Sequence, residues 1–294
     1  MGGAHMKNFE SFIGIDWSGA KLPIQTHSIA LSFSTQGADA PILLDEKWSR
    51  TKVFEYIQSL TQNTNSRTLI GIDANFGYAQ DIAQQQIGKG YNISDLWTYV
   101  EKHSAQSDNF FAGGFWQAYP DHFWTRGKKP PHMRFPKRLT EIQCAAKGYG
   151  NPESPFKLIG AKQVGKGGLA AMRMAHALKQ SMGDDICIWP FEHHIADTAK
   201  TVITEIFPRQ FLMRTGHGLT KVNTLDELNT SLKKLGCNNK YETLRFNNHD
   251  ADAIVSSAGL RMLCGNQKTI PDHIANPPEM DIAARTREGW IFGV

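Results

Sequence analysis

The tetrapeptide Ile-Gly-Ile-Asp occurs twice in this chain, as Ile13-Gly14-Ile15-Asp16 and as Ile70-Gly71-Ile72-Asp73. Each copy reads as a short buried strand that ends in a carboxylate just ahead of a glycine-containing loop. Ser18-Gly19 closes the first strand, and Asn75 and Gly77 close the second. In an open α/β sheet, ligands gather at the carboxyl ends of the strands. Parallel neighbours about 4.8 Å apart would bring the two aspartates together. Carboxylates that close repel one another, which makes a divalent cation the natural third party. A single strand-end aspartate more often serves its own following turn. Two copies in the same local context point to a shared site.

The remaining pattern supports an α/β chain. Strands are expected near residues 27–34 and 42–48, and a helix over 53–60, where Val53, Phe54, Ile57 and Leu60 share a face. After a long interruption, a helix is expected over 168–182 and strands over 186–189 and 202–207. Helices over 224–235 and 249–264 complete the order, the last entered through Asn247-Asn248, either of which can cap it.

The interruption, at about residues 90–160, reads as an insertion or lid. Seven aromatics fall within residues 110–124: Phe110, Phe111, Phe115, Trp116, Tyr119, Phe123 and Trp124. Residues 126–138 then carry six basic side chains (Arg126, Lys128, Lys129, Arg134, Lys137, Arg138), three prolines and no acid. Aromatics interleaved with Lys and Arg can stack bases and neutralise phosphates. The plainer reading is a small aromatic core internal to the insertion. Nucleic acid is therefore a candidate partner, with Lys128, Lys129, Arg134 and Arg138 as candidate substrate contacts.

Composition sets the outer limits. The 294 residues are 40% hydrophobic and 20% charged, which excludes disorder, collagen and coiled coil. That length suits one domain over residues 7–294 with the insertion inside it, and Met1 to His5 read as a cloning remnant ahead of Met6. The net charge of +4 tolerates a phosphate-bearing partner without demanding one. Cys144, Cys187, Cys237 and Cys264 stand alone with no C-x-x-C pair, which argues against a zinc ribbon and for a reduced, intracellular chain. With no run of about 18 apolar residues and no signal peptide, a cytoplasmic protein without a membrane partner is expected. The oligomeric state is not legible.

The last helix supplies a third acid. In His249-Asp250-Ala251-Asp252-Ala253-Ile254, His249 and Asp252 share a face at i,i+3, whereas Asp250 points about 100° away. Ala251, Ile254, Val255, Ala258 and Met262 form the apolar stripe, and Asp252 sits on its border. Asp250 suits the positive helix N-terminus. Asp252 at the border costs desolvation without a partner. Glu192 and Glu205, each near a strand end, are further candidates that spacing does not separate. The stretch from Gly160 to Gly167 fits G-x-x-x-x-G-K but has Gly167 where a P-loop needs Ser or Thr, so a tight helix start is the better reading; Lys166 there can still touch a phosphate. The remaining histidines, His193-His194 included, lack a ligand spacing.

A carboxylate ending the first strand, another ending the fourth, and a late helix with H-x-x-D together resemble the ribonuclease H-like superfamily, and within it RuvC-type resolvases. Along the chain, Gly14-Ile15-Asp16-Trp17-Ser18-Gly19, Ile72-Asp73-Ala74, Arg138-Leu139-Thr140-Glu141, Glu205-Ile206-Phe207-Pro208, His249-Asp250-Ala251-Asp252-Ala253 and Glu288-Gly289-Trp290-Ile291 are similar to the domain of unknown function 429 family, usually placed in that superfamily. Asn75 departs from the family pattern, where proline follows Ile-Asp-Ala.

The resemblance implies a mixed five-stranded sheet of ribonuclease H type, with helices on both faces and the aromatic and basic segment as an inserted lobe. It implies Asp16, Asp73 and Asp252 as metal-binding carboxylates, with His249 beside them and Glu205 as an added metal ligand. The function expected on these grounds is a Mg2+- or Mn2+-dependent phosphodiester hydrolase, a nuclease or resolvase-like enzyme. The alternative is a nucleic-acid or nucleotide binding module that keeps the fold without turnover. The actin-like ATPase and sugar kinase group is a poorer third, because no second phosphate-binding loop is visible in the C-terminal half.

Overall fold

A computed structural model describes residues 6–21, 28–125, 127–129, 131, 133–160, 163–218 and 220–294. Met1 to His5, His27, Arg126, Pro130 and the Ala161-Lys162 pair of the glycine-rich stretch lie outside the described residues.

The chain is α/β. Among the described residues the six strands are β1 (Ser11–Asp16), β2 (Ala30–Thr35), β3 (Ile42–Leu43), β4 (Thr68–Ile72), β5 (Ile186–Ile188) and β6 (Thr201–Glu205). The helices begin with α1 (Arg50–Asn63), α2 (Gln80–Ile87), α3 (Ile93–Ser104), α4 (Gly113–Ala118) and α5 (Leu139–Ala146). They continue with α6 (Gly165–Met182), α7 (Pro208–Arg214), α8 (Leu225–Lys234), α9 (Asn248–Cys264) and α10 (Asp272–Ala275).

The strands form one mixed sheet in the order β3-β2-β1-β4-β6-β5. β2 runs antiparallel to β1, and β3 antiparallel to β2, while β1, β4, β6 and β5 are parallel neighbours. Among the described residues the sheet therefore has six strands, not the five that the resemblance implies. The additional edge is β5, a short apolar run that follows α6 and pairs with β6 from Ile186 against Thr201.

The repeated tetrapeptide explains the centre of the sheet. Ile13, Gly14 and Ile15 lie in register against Ile70, Gly71 and Ile72. Side chains alternate across a strand, so Ile13, Ile15, Ile70 and Ile72 enter one core, together with Val53 and Ile57 of α1, Leu96 of α3 and Leu169 of α6. Phe12 and Leu69 face the opposite core, built with Phe211 of α7, Leu228 of α8 and Ile254 and Val255 of α9. Helices thus cover both faces.

The two glycines face α9 and let it lie close. A Cβ on Gly14 would stand 2.4 Å from the Ala253 carbonyl oxygen, and one on Gly71 would stand 2.8 Å from Leu260 of the same helix and 2.5 Å from Ile206 beyond β6. Small residues on the helix complete the fit, and Ser257 Oγ shares a 3.0 Å hydrogen bond with Ser32 Oγ of β2. Two residues beyond each glycine, on the same face by strand periodicity, come Asp16 and Asp73.

The aromatic segment does not make a separate core. Phe115, Trp116 and Phe123 are buried in the same cluster as the sheet isoleucines. Among the described residues no helix is long and apolar enough to cross a membrane. All four cysteines are buried and unpaired.

Candidate functional site at the carboxyl edge of the sheet

Asp16 is the last residue of β1 and is buried, at 6% exposure. Asp73 follows β4 directly, and its backbone N–H donates to the Ile15 carbonyl (2.9 Å), which locks it beside Asp16. Asp252 and His249 come from the first turns of α9. That helix is capped by Asn247, whose side chain accepts from the N–H groups of His249 (2.7 Å) and Asp250 (3.1 Å). Asp250 returns the bond by accepting from the Asn247 N–H (3.0 Å), so it serves the helix end and not the cluster.

Two cationic groups meet the aspartates. His249 Nδ1 lies 2.6 Å from Asp16 Oδ2, and Lys221 Nζ lies 3.1 Å from Asp252 Oδ2. Burial lifts the Asp16 carboxyl from its ordinary 3.8 to about 6; the His249 hydrogen bond opposes the rise and the nearby Asp252 adds to it. Asp73 is pushed well above the carboxylate range by burial first, then by the charges of Asp16, Asp252 and Glu205. His249 moves upward because its hydrogen bond to Asp16 favours the imidazolium. The three aspartates from distant parts of the chain thus lie within electrostatic reach of one another.

These are hard oxygen donors with too few cations around them, a set that suits Mg2+ or Mn2+. The present side-chain directions do not enclose one. Among the described residues no group of three or more His, Cys, Asp or Glu is arranged to hold a metal ion. Asp16 Oδ2 is turned to His249 and Asp252 Oδ2 to Lys221.

Glu205 has a different environment. It ends β6 opposite Ile72, and both its oxygens accept from Arg138, at 2.6 and 2.9 Å. Arg138 is 1% exposed and also holds Glu141 and the Glu288 carbonyl oxygen. Burial raises Glu205 to about 7 against the pull of Arg138. Arg138, expected as a substrate contact, is therefore an internal counter-ion: a guanidinium between two carboxylates gains more from that pairing than a solvent-facing position would offer. Beside this group lies a cavity of about 90 Å³ lined in part by Asp73, Asn75, Arg138, Glu141 and Glu205. Glu192 points elsewhere, pairing with Lys179 at 3.0 Å.

The glycine-rich start of α6 is a packing device. A Cβ on Gly19 would stand 2.3 Å from Gly167 N, one on Gly168 would stand 2.0 Å from Asn75 Oδ1, and Trp17 Nε1 donates to the Gly167 carbonyl (3.0 Å). The loops after β1 and β4 therefore sit on this helix end, where a phosphate would need open N–H groups. Lys166 is half-buried, with Nζ 5.9 Å from the Trp116 ring centre.

Lys128, Lys129 and Arg134 are exposed. Lys129 Nζ lies 4.4 Å from the Phe135 ring centre, and Trp124 stacks on the same ring. Arg134 donates to the Pro131 carbonyl at 3.0 Å. The basic and aromatic side chains here form a surface, while the more N-terminal aromatics are core.

Two site residues lacked any sequence signal or had one that was missed. Lys221 stands in an irregular segment with no motif around it. Arg50 is fully buried and donates to the carbonyls of Ser18 (2.7 Å), Ala20 (2.9 Å) and Asn109 (2.7 Å), fixing the loop after β1. Ser49 just before it is a standard helix cap, accepting from Lys52 N at 3.2 Å. Comparison with known proteins finds no matching family model, no matching curated protein and no matching solved structure.

Proposed function

We propose that this chain is a ribonuclease H-like, divalent-metal-dependent phosphodiester hydrolase acting on nucleic acid, of the kind the domain of unknown function 429 resemblance implies. The observation that carries the reading is that Asp16, Asp73 and Asp252, from β1, the end of β4 and α9, lie within electrostatic reach of one another, with His249 and Lys221 as their ion-pair partners among the described residues. The order β3-β2-β1-β4-β6, with β2 alone reversed against a parallel β1-β4-β6 set, agrees with a ribonuclease H-type core to which β5 adds an edge.

Asp16, Asp73 and Asp252 would hold Mg2+ or Mn2+, and Glu205 would support Asp73 from the far side of the cavity while remaining on Arg138. When bound, the ion supplies Lewis acidity toward a phosphate oxygen and makes a water molecule more acidic. His249 is placed to move a proton. Its Nδ1 is engaged by Asp16, which orients the ring and raises its proton affinity. A cleft of about 360 Å³, lined by His249, Asp45, Glu46 and Asn247 among others, gives that histidine contact with solvent. A histidine whose proton affinity is raised by a carboxylate is suited to donating to a leaving oxygen. Lys128, Lys129 and Arg134, with Trp124 and Phe135, would contact the strand.

One observation favours the non-catalytic alternative. His249 and Lys221 already partner two of the three acids, as a metal-free binding module would require. Cleavage assays separate the two. With Mn2+ and a panel of single-stranded, duplex and branched DNA and RNA, the parent is expected to cleave at least one substrate and Asp16→Asn none. Retention of parental cleavage by Asp16→Asn would remove the assignment; metal-independent binding without cleavage would establish the module.

A further inference from the structure

Lys221 lies between α7 and α8, outside every motif of the chain. Its side chain is 48% exposed, whereas its partner Asp252 is 13% exposed, so the ammonium reaches from solvent into the cluster. It stands 3.1 Å from Asp252 Oδ2, an ion-pair distance. Of the other cationic side chains around the site, His249 belongs to Asp16, and Arg138 is committed to Glu141 and Glu205. Asp252 therefore has a cation covalently built into the chain, while Asp73 has no cationic side chain at bonding distance among the described residues.

Paired metal ions in phosphodiester-cleaving sites lie about 3.5–4 Å apart and share carboxylates. An ammonium on Asp252 claims the oxygen that one of them would use. Three carboxylates facing one divalent ion, one lysine and one histidine are close to charge balance, whereas two divalent ions in addition to both side chains would leave a surplus of positive charge in a partly buried site.

Resting on the metal-dependent reading above, we propose that Lys221 takes the place of a second divalent ion at Asp252, so that the cluster loads a single Mg2+ or Mn2+ held chiefly by Asp16 and Asp73. Lys221 is then a positioning residue, which holds the Asp252 carboxylate in place through the 3.1 Å contact. The half-exposed stem makes substitution tolerable for the fold, and an arginine at this position preserves the charge.

Calorimetric titration with Mn2+ alone, on the full chain, tests this through stoichiometry. The parent and Lys221→Arg are expected to bind one ion per chain, and Lys221→Ala and Lys221→Met two. Two ions in the parent, or one ion in both neutral variants, would overturn the proposal while leaving the metal-dependent reading intact. No binding in any of the four proteins would overturn both.

Discussion

Two groups of acids stand next to each other at the carboxyl edge of the sheet, and they are resolved in opposite ways. Around Arg138, two buried carboxylates share one guanidinium that is itself 1% exposed, and every contact points inward. Around Asp16, three aspartates meet a histidine and a lysine whose side chains are 41% and 48% exposed. The first group is closed and serves the fold, pinning the start of α5 to the end of β6. The second is open and short of positive charge, a condition a protein retains where a ligand supplies the remainder. Asp73 touches both, lining the cavity beside Arg138 while feeling the charges of Asp16 and Asp252.

The contrast can be broken by substitution. Arg138→Met should produce the largest effect, since it strands Glu141 and Glu205 without a counter-ion; a loss of about 3–5 kcal/mol is expected in urea unfolding. A change below 1 kcal/mol would mean that the closed group is not structural. Gly14→Ala comes next. Its methyl would meet the Ala253 carbonyl at 2.4 Å, so α9 must shift, at a cost of about 1–3 kcal/mol, and His249 and Asp252 must move with it. Reduced metal affinity in a folded Gly14→Ala protein is the readout that ties packing to the site.

The open group should behave in the reverse sense. Asp16 titrates at about 6 in the folded chain against an ordinary 3.8, so the folded state holds this proton more tightly than the unfolded one. Its contribution to stability is present below about pH 4 and is lost as pH rises through about 6. Metal-free Asp16→Asn is therefore expected to be more stable than the parent at pH 7.5, on the order of 2 kcal/mol, with the gap closing at pH 4. A destabilised variant at pH 7.5 would show that the His249 bond outweighs the burial of charge. The smallest effect is reserved for the surface: Lys129→Ala should change stability by less than about 0.5 kcal/mol while weakening nucleic-acid binding and its salt dependence.

How much of this was legible depends on whether the signal was local. The tetrapeptide carried two of its roles in its own letters, isoleucines for the core and aspartate for the edge; the role of its glycine in admitting α9 appears only in the fold. The α9 stripe was readable in part: Ala251, Ile254, Val255 and Ala258 are buried, but so are Ala253, Ser256 and Ser257, which meet Gly14 and lie outside it, because the helix is covered on more than one face. β5 was readable as well, since the apolar run at 186–189 contains Ile186–Ile188; the count of five came from the resemblance and not from the strands themselves. Helix α3 went unread at the start of the 90–160 interruption, although Asn92 and Asp95 form a capping box at its start. Arg138 was misassigned because a basic residue in a basic run looks solvent-facing until Glu205, 67 positions away, is brought onto it. Lys221 had no periodicity, motif or cap around it, and only the fold places it against Asp252.

The central claim is that acids from both ends of the chain share one metal. Loss of the free Mn2+ paramagnetic resonance signal on addition of protein measures that directly, for the parent, Asp16→Asn and Asp252→Asn. Saturable binding by the parent that Asp16→Asn weakens at least about tenfold, and Asp252→Asn weakens to a smaller but measurable degree, is the predicted result. Parental binding retained by Asp252→Asn, or no binding by any of the three, would contradict it.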